Sequence, residues 1–325
     1  MGDRDEELMW RAMALAASVR GNTSPNPWVG AVLATEAGVF EGATQPPGGP
    51  HAEAVALAAA GEAARGGTLY VTLEPCSHTG RTGPCADAVV NAGVARVVVG
   101  IIDPDEHVAG SGIKRLRDAG IKVDVGLYHD EIAAQLAPYL KHRATGRPYV
   151  ILKLAATLDG RTAAPDGSSQ WITSRDSRAD AHRLRAESDA VLVGAATVRA
   201  DDPALTVRDV EGRDPMRVVL GKAPEDAKVH PALELTGELD AVLEKLGGMG
   251  VMQLLVEGGA TVAHAFHTAR LVDRYVIYLA PALMGGDDGR AMFHGEGAST
   301  MAELWRGRIV SVQPVGDDIR VELEP

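Results

Sequence analysis

Two runs of alternating strand-like and helix-like segments, separated by a basic stretch closed by Gly and Pro, predict a two-domain α/β protein. The 325 residues exceed the size at which one hydrophobic core usually stops growing, which points the same way. The first run opens with Leu8, Met9, Ala12, Leu15, Ala16 and Val19 at helical spacing behind an acidic turn, and an Asn- and Pro-rich loop over 22–27 ends that helix. Strands are predicted over 29–34 and 38–42, and an Ala-rich helix from His51. Strand 68–73, helix 85–92, buried strand 95–101, helix 111–119 and strand 122–125 follow. The basic, polar segment 141–148 reads as an exposed connection, so the domains are expected to be 1–146 and 147–325. The second run is strand 149–155, helix 176–187, strands 190–194 and 217–220, helix 239–246, strand 253–256, helix 261–269 and strand 274–279. No motif recurs between the halves, so they read as two different fused domains.

Composition narrows the function. The 46% hydrophobic and 23% charged residues are ordinary soluble globular usage. A formal net charge of -12 opposes the counterion release on which nucleic-acid binding depends, and 4% aromatic residues leave little for base stacking, so no nucleic-acid partner is expected. The most apolar stretch, 190–198, is far shorter than a bilayer crossing, and the acidic residues 1–7 do not resemble an export signal; a cytoplasmic protein without membrane contact is expected. Only Cys76 and Cys85 carry thiols, and two thiols in such a chain point to a metal or catalytic site more than to a disulfide framework.

Those thiols belong to a pattern. His51-Ala52-Glu53 opens a helix, and Pro75-Cys76 with Cys85 follows the next strand, which supplies one imidazole, two thiolates and a nearby carboxylate. Three protein ligands, His51, Cys76 and Cys85, leave one position of a zinc tetrahedron for water, whose pKa the metal lowers toward neutrality. Glu53 then serves as proton shuttle, and the ordered H-x-E…P-C set is the signature of zinc deaminases. Taken singly, His-x-Glu is common on helix surfaces and Pro-Cys means little; the combination carries the reading.

Eight residues separate the two cysteines, and the loop Cys76-Ser77-His78-Thr79-Gly80-Arg81-Thr82-Gly83-Pro84-Cys85 resembles that of the bifunctional deaminase and reductase of bacterial riboflavin biosynthesis, with Gly83 in place of a proline. The stretch Pro25-Asn26-Pro27-Trp28-Val29-Gly30 is similar to the same family, and the resemblance covers nearly the whole chain. It implies a cytidine-deaminase-like zinc domain fused to a dihydrofolate-reductase-like domain, with one Zn2+ per chain, NADPH, and small phosphoribosyl pyrimidine substrates. It implies that Asn26 faces the pyrimidine and that Asp103 is a pocket acid; from the residues alone, a Pro-flanked turn and a helix cap explain them equally well. His78 and Arg81 stand in a glycine-rich loop with little packing reason to hold either, and are expected to contact substrate. His129, His182 and His230 lack ligand spacing and read as ordinary residues.

In the second half, Glu257-Gly258-Gly259 lies between a strand and a helix, an arrangement that aims free backbone N–H groups at a phosphate, though Gly-Gly after a strand is a plain turn about as often. The stretches 153–161, 169–173 and 200–206 resemble the family's reductase domain. By that resemblance Ala155, Trp171, Thr197, Asp201, Gly259, Ala260, Thr261, Val262, Ala263, His264 and Ala265 line the NADPH site, and Ser169, Arg185, Leu205, Arg208 and Glu257 hold the sugar phosphate. Lys153, a charge within an apolar strand, is expected beside the sugar as a catalytic residue. The short stretch after Leu220 departs from the family, and Lys222 there reads either as a partner of the NADPH 2′-phosphate or as a solvated lysine. A homo-oligomer, dimer or tetramer, is expected. The rivals are a nucleoside or tRNA deaminase fused to an unrelated reductase, which would want a basic face, and a silent zinc- or nucleotide-binding regulator, against which the intact Glu53 argues.

Overall fold

The computed structural model describes residues 2–77, 83–105 and 108–325, divided into two compact units, Met1–Gly146 and Arg147–Pro325. In the first unit the elements run α1 (Asp3–Ser18), β1 (Gly30–Thr35), β2 (Gly38–Ala43), α2 (Ala52–Ala60), β3 (Thr68–Leu73), α3 (Cys85–Asn91), β4 (Arg96–Ile101), α4 (Ser111–Asp118), β5 (Lys122–Val125), α5 (His129–Gln135) and α6 (Ala137–Thr145). Its sheet has the order β2-β1-β3-β4-β5, antiparallel across β2, β1 and β3 and parallel from β3 to β5. The apolar runs of β3 and β4 are buried, as parallel strands covered on both faces should be. Helix α1 sets Leu8, Met9, Ala12, Met13 and Ala16 into the core, and its Asp5 carboxylate accepts from Arg96 at 2.7 Å and from the Tyr70 hydroxyl at 2.7 Å. Gly42 fixes the seat of α2: a Cβ there would stand 2.1 Å from the Ala52 carbonyl oxygen, so the helix lies directly against β2.

The second unit contains β6 (Tyr149–Thr157), β7 (Arg161–Ala163), α7 (Arg175–Ala186), β8 (Ala190–Gly194), α8 (Ala195–Asp201), β9 (Met216–Leu220), β10 (Leu233–Leu235), α9 (Leu239–Gly248), β11 (Gln253–Val256), α10 (Ala260–Thr268), β12 (Arg274–Ala280), β13 (Arg290–Ala291), β14 (Arg308–Val315) and β15 (Asp318–Glu324). Eight strands form one sheet in the order β10-β9-β8-β11-β6-β12-β15-β14. It is parallel from β10 to β12, so the carboxyl ends of β8, β11, β6 and β12 share one edge, where open α/β sheets bind ligands. Along β6, Val150, Leu152 and Leu154 face the apolar core, and the period of two turns Lys153 to the opposite face.

One expectation needs correction, and two elements were not foreseen. Residues 141–148 are not an open connection: α6 runs to Thr145, with Pro138 in its first turn and a left-handed Gly146 (φ 70°) ending it, and α5 precedes it. The polarity that suggests a linker is that of a helix carrying charged side chains. Helix α8 and the β14–β15 hairpin were also not expected; β14 lies at the sheet edge, exposed on both faces, so its sequence lacks a clear inward-outward alternation. Among the described residues no helix is long and apolar enough to cross a membrane.

Candidate active sites

In the first unit, the start of α2 and the start of α3 bring three ligand atoms together. His51 caps α2, Cys76 follows β3, and Cys85 is the first residue of α3. His51 Nδ1 lies 3.7 Å from Cys76 Sγ and 3.4 Å from Cys85 Sγ, and the three ligand atoms fall within 4.8 Å of one another. The Cys85 backbone N–H donates to Cys76 Sγ at 3.3 Å. That hydrogen-bond set, led by the Cys85 thiol, pulls the Cys76 thiol down to about 4, while the Cys76 thiolate and burial push Cys85 up: without a cation the pair keeps one proton. A divalent cation resolves that conflict by ionising both, and one imidazole with two thiolates suits zinc with a position left open.

Glu53, in the first turn of α2, is 3% exposed, and burial pushes its carboxyl up to about 7, close to where a proton shuttle works best. It lines a cavity of about 400 Å³ together with His51, Cys76, Asn26 and Asp103. Asn26 lies in a turn, its N–H donating to the Thr23 carbonyl at 2.9 Å and its carbonyl accepting from the Thr23 hydroxyl at 3.0 Å, and it borders the cavity. Asp103 is buried and accepts from the Tyr139 hydroxyl at 3.0 and 3.1 Å and from the Asp105 N–H at 2.9 Å; burial raises its pKa. His78 and Arg81 lie outside the described residues. Gly83 has open space where a Cβ would stand, so packing does not demand the glycine.

Sequence reasoning missed Glu74. Its buried carboxylate accepts from the N–H groups of Asp103, Gly110 and Ile113 at 3.3, 2.9 and 3.0 Å, which fixes the loop after β4 and with it the cavity wall. The available signal was a carboxylate ending the apolar strand 68–73, just before Pro75-Cys76. Tyr139 and Arg143 were missed because their segment lies far along the chain and reads as a connection.

In the second unit Lys153, Glu257 and Arg185 meet at the carboxyl edge of the sheet. Glu257 Oε2 accepts from Arg185 Nη2 at 2.9 Å and lies 3.9 Å from Lys153 Nζ, while Arg185 Nε donates to the other carboxylate oxygen and Nη1 to the Thr206 carbonyl at 3.1 Å. Arg185 and Glu257 are thus partners of each other, an arrangement that separate substrate-contact roles do not anticipate. Burial opposes ionisation of Glu257, but Arg185 outweighs it and holds the carboxyl down at about 2. Burial lowers the Lys153 pKa, with Glu257 opposing. Lys153 Nζ also sits 5.8 Å from the centre of the Tyr278 ring, whose hydroxyl donates to buried Asp180 at 2.6 Å. His182, read as ordinary, is buried here and accepts from the Arg208 N–H at 3.2 Å; the Arg208 side chain is exposed, and Leu205 is buried at φ 54°.

At the start of α10, the Gly259 N–H donates to Thr197 Oγ1 at 3.1 Å, and a Cβ on Gly259 would stand 2.9 Å from that oxygen. The glycine permits α8 and α10 to present adjoining N-termini, whose free N–H groups suit a phosphate. Thr261 is exposed, His264 and Ala265 are part-buried, and Val262 packs against the core, with His264 Nε2 bonded to the Glu296 carbonyl at 2.8 Å. Ala260, Ala263 and Phe266 form the buried stripe of α10, with Ala263 fully enclosed in the core. Ala155 pairs with Tyr278 across β6 and β12. Trp171 is 69% exposed with the Arg178 guanidinium 4.4 Å from its ring centre; Ser169 is half-buried nearby in sequence, and Asp201 is exposed at the end of α8. Lys222 is exposed in a shallow depression shared with Glu225 and Glu234, whose carboxylates disfavour a phosphate.

Residues 148–321 match the model of the RibD C-terminal domain, and residues 3–101 match the cytidine and deoxycytidylate deaminase zinc-binding region. The riboflavin biosynthesis protein RibD of Escherichia coli is 41% identical, covering 98% of this chain and 99% of its own length. This chain belongs to the RibD family. The Mycobacterium tuberculosis RibD is 42% identical over 98% of this chain and 96% of its own. Among solved structures, Acinetobacter baumannii RibD has a TM-score of 0.93 at 40% identity, covering 99% of each chain. The Thermotoga maritima diaminohydroxyphosphoribosylaminopyrimidine deaminase/5-amino-6-(5-phosphoribosylamino)uracil reductase has a TM-score of 0.90 at 34% identity, over 99% and 98%. The two-part RibD architecture, a cytidine-deaminase-like unit followed by a dihydrofolate-reductase-like unit, is therefore the fold of this chain.

Proposed function

We propose that this chain is a cytoplasmic bifunctional enzyme of riboflavin biosynthesis. It hydrolytically deaminates 2,5-diamino-6-ribosylamino-4(3H)-pyrimidinone 5′-phosphate at ring C2 and then reduces the resulting 5-amino-6-(5-phosphoribosylamino)uracil to its ribitylamino form. The observation that carries the reading is the cluster of His51, Cys76 and Cys85 ligand atoms within 4.8 Å of one another, with His51, Cys76 and buried Glu53 bordering one cavity, in a chain whose second unit sets Lys153 among Glu257 and Arg185.

His51, Cys76 and Cys85 would hold a zinc ion, which when bound would supply an acidified water. Glu53 would pass one proton of that water to the ring nitrogen beside C2 and the second, from the new hydroxyl, to the amine, so that C2 becomes a carbonyl, the C–N bond breaks and ammonia leaves neutral. Asn26 aligns the pyrimidine edge, and Asp103, fixed by Tyr139 and the Glu74-bound loop, meets the polar part of the substrate. In the second unit NADPH supplies the hydride. The N–H groups at the start of α10 hold its phosphates, with Thr197 setting their direction. Lys153 is placed to donate a proton to the sugar ring oxygen as its bond to C1′ breaks, C1′ being where bound NADPH would deliver its hydride; burial, which lowers the Lys153 pKa, makes that proton easier to give. Glu257 steadies both Lys153 and Arg185, and Ser169, Leu205 and Arg208 complete the sugar-phosphate side.

The test is incubation of the purified protein with the diamino substrate, with and without NADPH, followed by product mass spectrometry. Deaminated product alone is expected without NADPH, and the ribitylamino product with it. Turnover of cytidine or adenosine instead would support a nucleoside deaminase, and no turnover of any substrate would support a silent regulator. Sedimentation of the same sample reads out the proposed homo-oligomer, dimer or tetramer.

A further inference from the structure

The deaminase cavity must receive a substrate that ends in a phosphate dianion, yet its described wall is acidic: Glu53, Glu74, Asp103 and Asp105 all border it. Among the described lining residues Arg143 is the one Lys or Arg. It stands on α6, one turn beyond Tyr139, and its guanidinium lies 5.1 Å from the centre of the Tyr139 ring. That cation–π contact uses none of its N–H donors. The polar contacts of Arg143 among the described residues are long: Nε stands 3.6 Å from Asp105 Oδ2, and Nη2 reaches the Pro25 carbonyl at 3.5 Å. A partly buried guanidinium, 31% exposed, seated on an aromatic ring and with its donors only loosely engaged is arranged to accept a better anion.

Resting on the deaminase reading above, we propose that Arg143 binds the 5′-phosphate of the deaminase substrate, with Tyr139 as its platform. Two residues of one helix then divide the work. The Tyr139 hydroxyl fixes Asp103, its ring seats Arg143, and Arg143 selects phosphorylated substrates over the bare nucleoside. Asp105 gives up a loose ion pair when the phosphate arrives, and a dianion in fork geometry is a stronger partner than a carboxylate at 3.6 Å. Substrate selection thus comes from a helix remote in sequence from the zinc ligands.

The test compares kcat/KM for deamination of the 5′-phosphorylated substrate and of its dephosphorylated counterpart, in the full-length zinc-loaded protein and in Arg143→Ala, Arg143→Lys, Tyr139→Phe and Tyr139→Ala. The parent protein should prefer the phosphorylated substrate. Arg143→Ala should shrink that preference by at least about tenfold, the size expected for a lost charge-assisted hydrogen bond. Arg143→Lys should recover part of it through charge without the fork. Tyr139→Phe, which keeps the ring, should retain the preference, and Tyr139→Ala should erode it. Zinc content and the thermal transition of each variant report folding independently of activity. The proposal is overturned if Arg143→Ala slows both substrates by the same factor, or leaves the preference intact. If the parent protein deaminates neither substrate, the deaminase reading fails and this inference falls with it, an outcome distinguishable from a loss of preference alone.

Discussion

Replacing Glu257 by Gln tests whether the reductase unit is held by a buried ion pair. The carboxyl is pulled from its ordinary value of 4.5 down to about 2, which corresponds to about 3 kcal/mol of stability at neutral pH. An independent argument gives the same size: breaking a buried pair and leaving Arg185 uncompensated costs about 3–5 kcal/mol. The sign follows from the depressed value. Glu257 is ionised in the folded protein throughout the range in which the unfolded chain takes up a proton, so its contribution is complete above about 4.5 and disappears as pH falls toward 2. Because the chain has two units, a local reporter is preferable to a whole-molecule melt. Hydrogen exchange of the β11 amides Leu254–Val256, which pair with β6 and β8, should lose about 100-fold protection at pH 7. The difference between parent and variant should narrow steadily below pH 4.5. Equal losses of protection at pH 7 and pH 3 would refute the electrostatic account, and a loss below about fivefold at pH 7 would show that the pair contributes little.

Glu53→Gln should keep zinc bound, since Glu53 is not among the three ligands, but deamination should fall by at least about 100-fold, with reduction of supplied deaminated substrate near the parent rate. Lys153→Ala should do the converse, and loss of both activities in either folded variant would refute two independent sites. Cys85→Ser should deplete the roughly one zinc per chain found by elemental analysis; full occupancy with normal deamination would show the ligand set to be wrong. NADPH should be preferred over NADH, and because Glu225 and Glu234 share the depression of Lys222, Lys222→Ala should change that preference by less than about threefold. A larger collapse would assign the 2′-phosphate to Lys222.

What could be read from the sequence follows from how far each function reaches along the chain. His51 and Glu53 open α2, Cys85 opens α3 and Cys76 follows β3, with the chain's two cysteines both among them, and metal chemistry restricts their spacing, so the pattern survives without coordinates. The strands 68–73, 122–125, 190–194 and 253–256 coincide with their observed bounds because each is a short apolar or β-branched run between turn residues. Pairing across distance was not legible. Arg185 and Glu257 are 72 positions apart, and nothing local in either announces that each is the other's partner. Segment 259–265 shows the complementary difficulty: a motif carried over as a continuous run does not record that a helix turns every third or fourth residue inward, and here Ala260 and Ala263 lie on the buried stripe. Helix α6 combines both difficulties. Its charged residues look like a solvated connection, and only the fold brings Tyr139 and Arg143 to a cavity whose zinc ligands lie more than fifty residues earlier. Chemistry confined to a few bonds leaves a local signature, whereas selectivity built from the opposite wall of a cavity is distributed through the topology, and that is why the reacting groups were readable and the residues that choose their substrate were not.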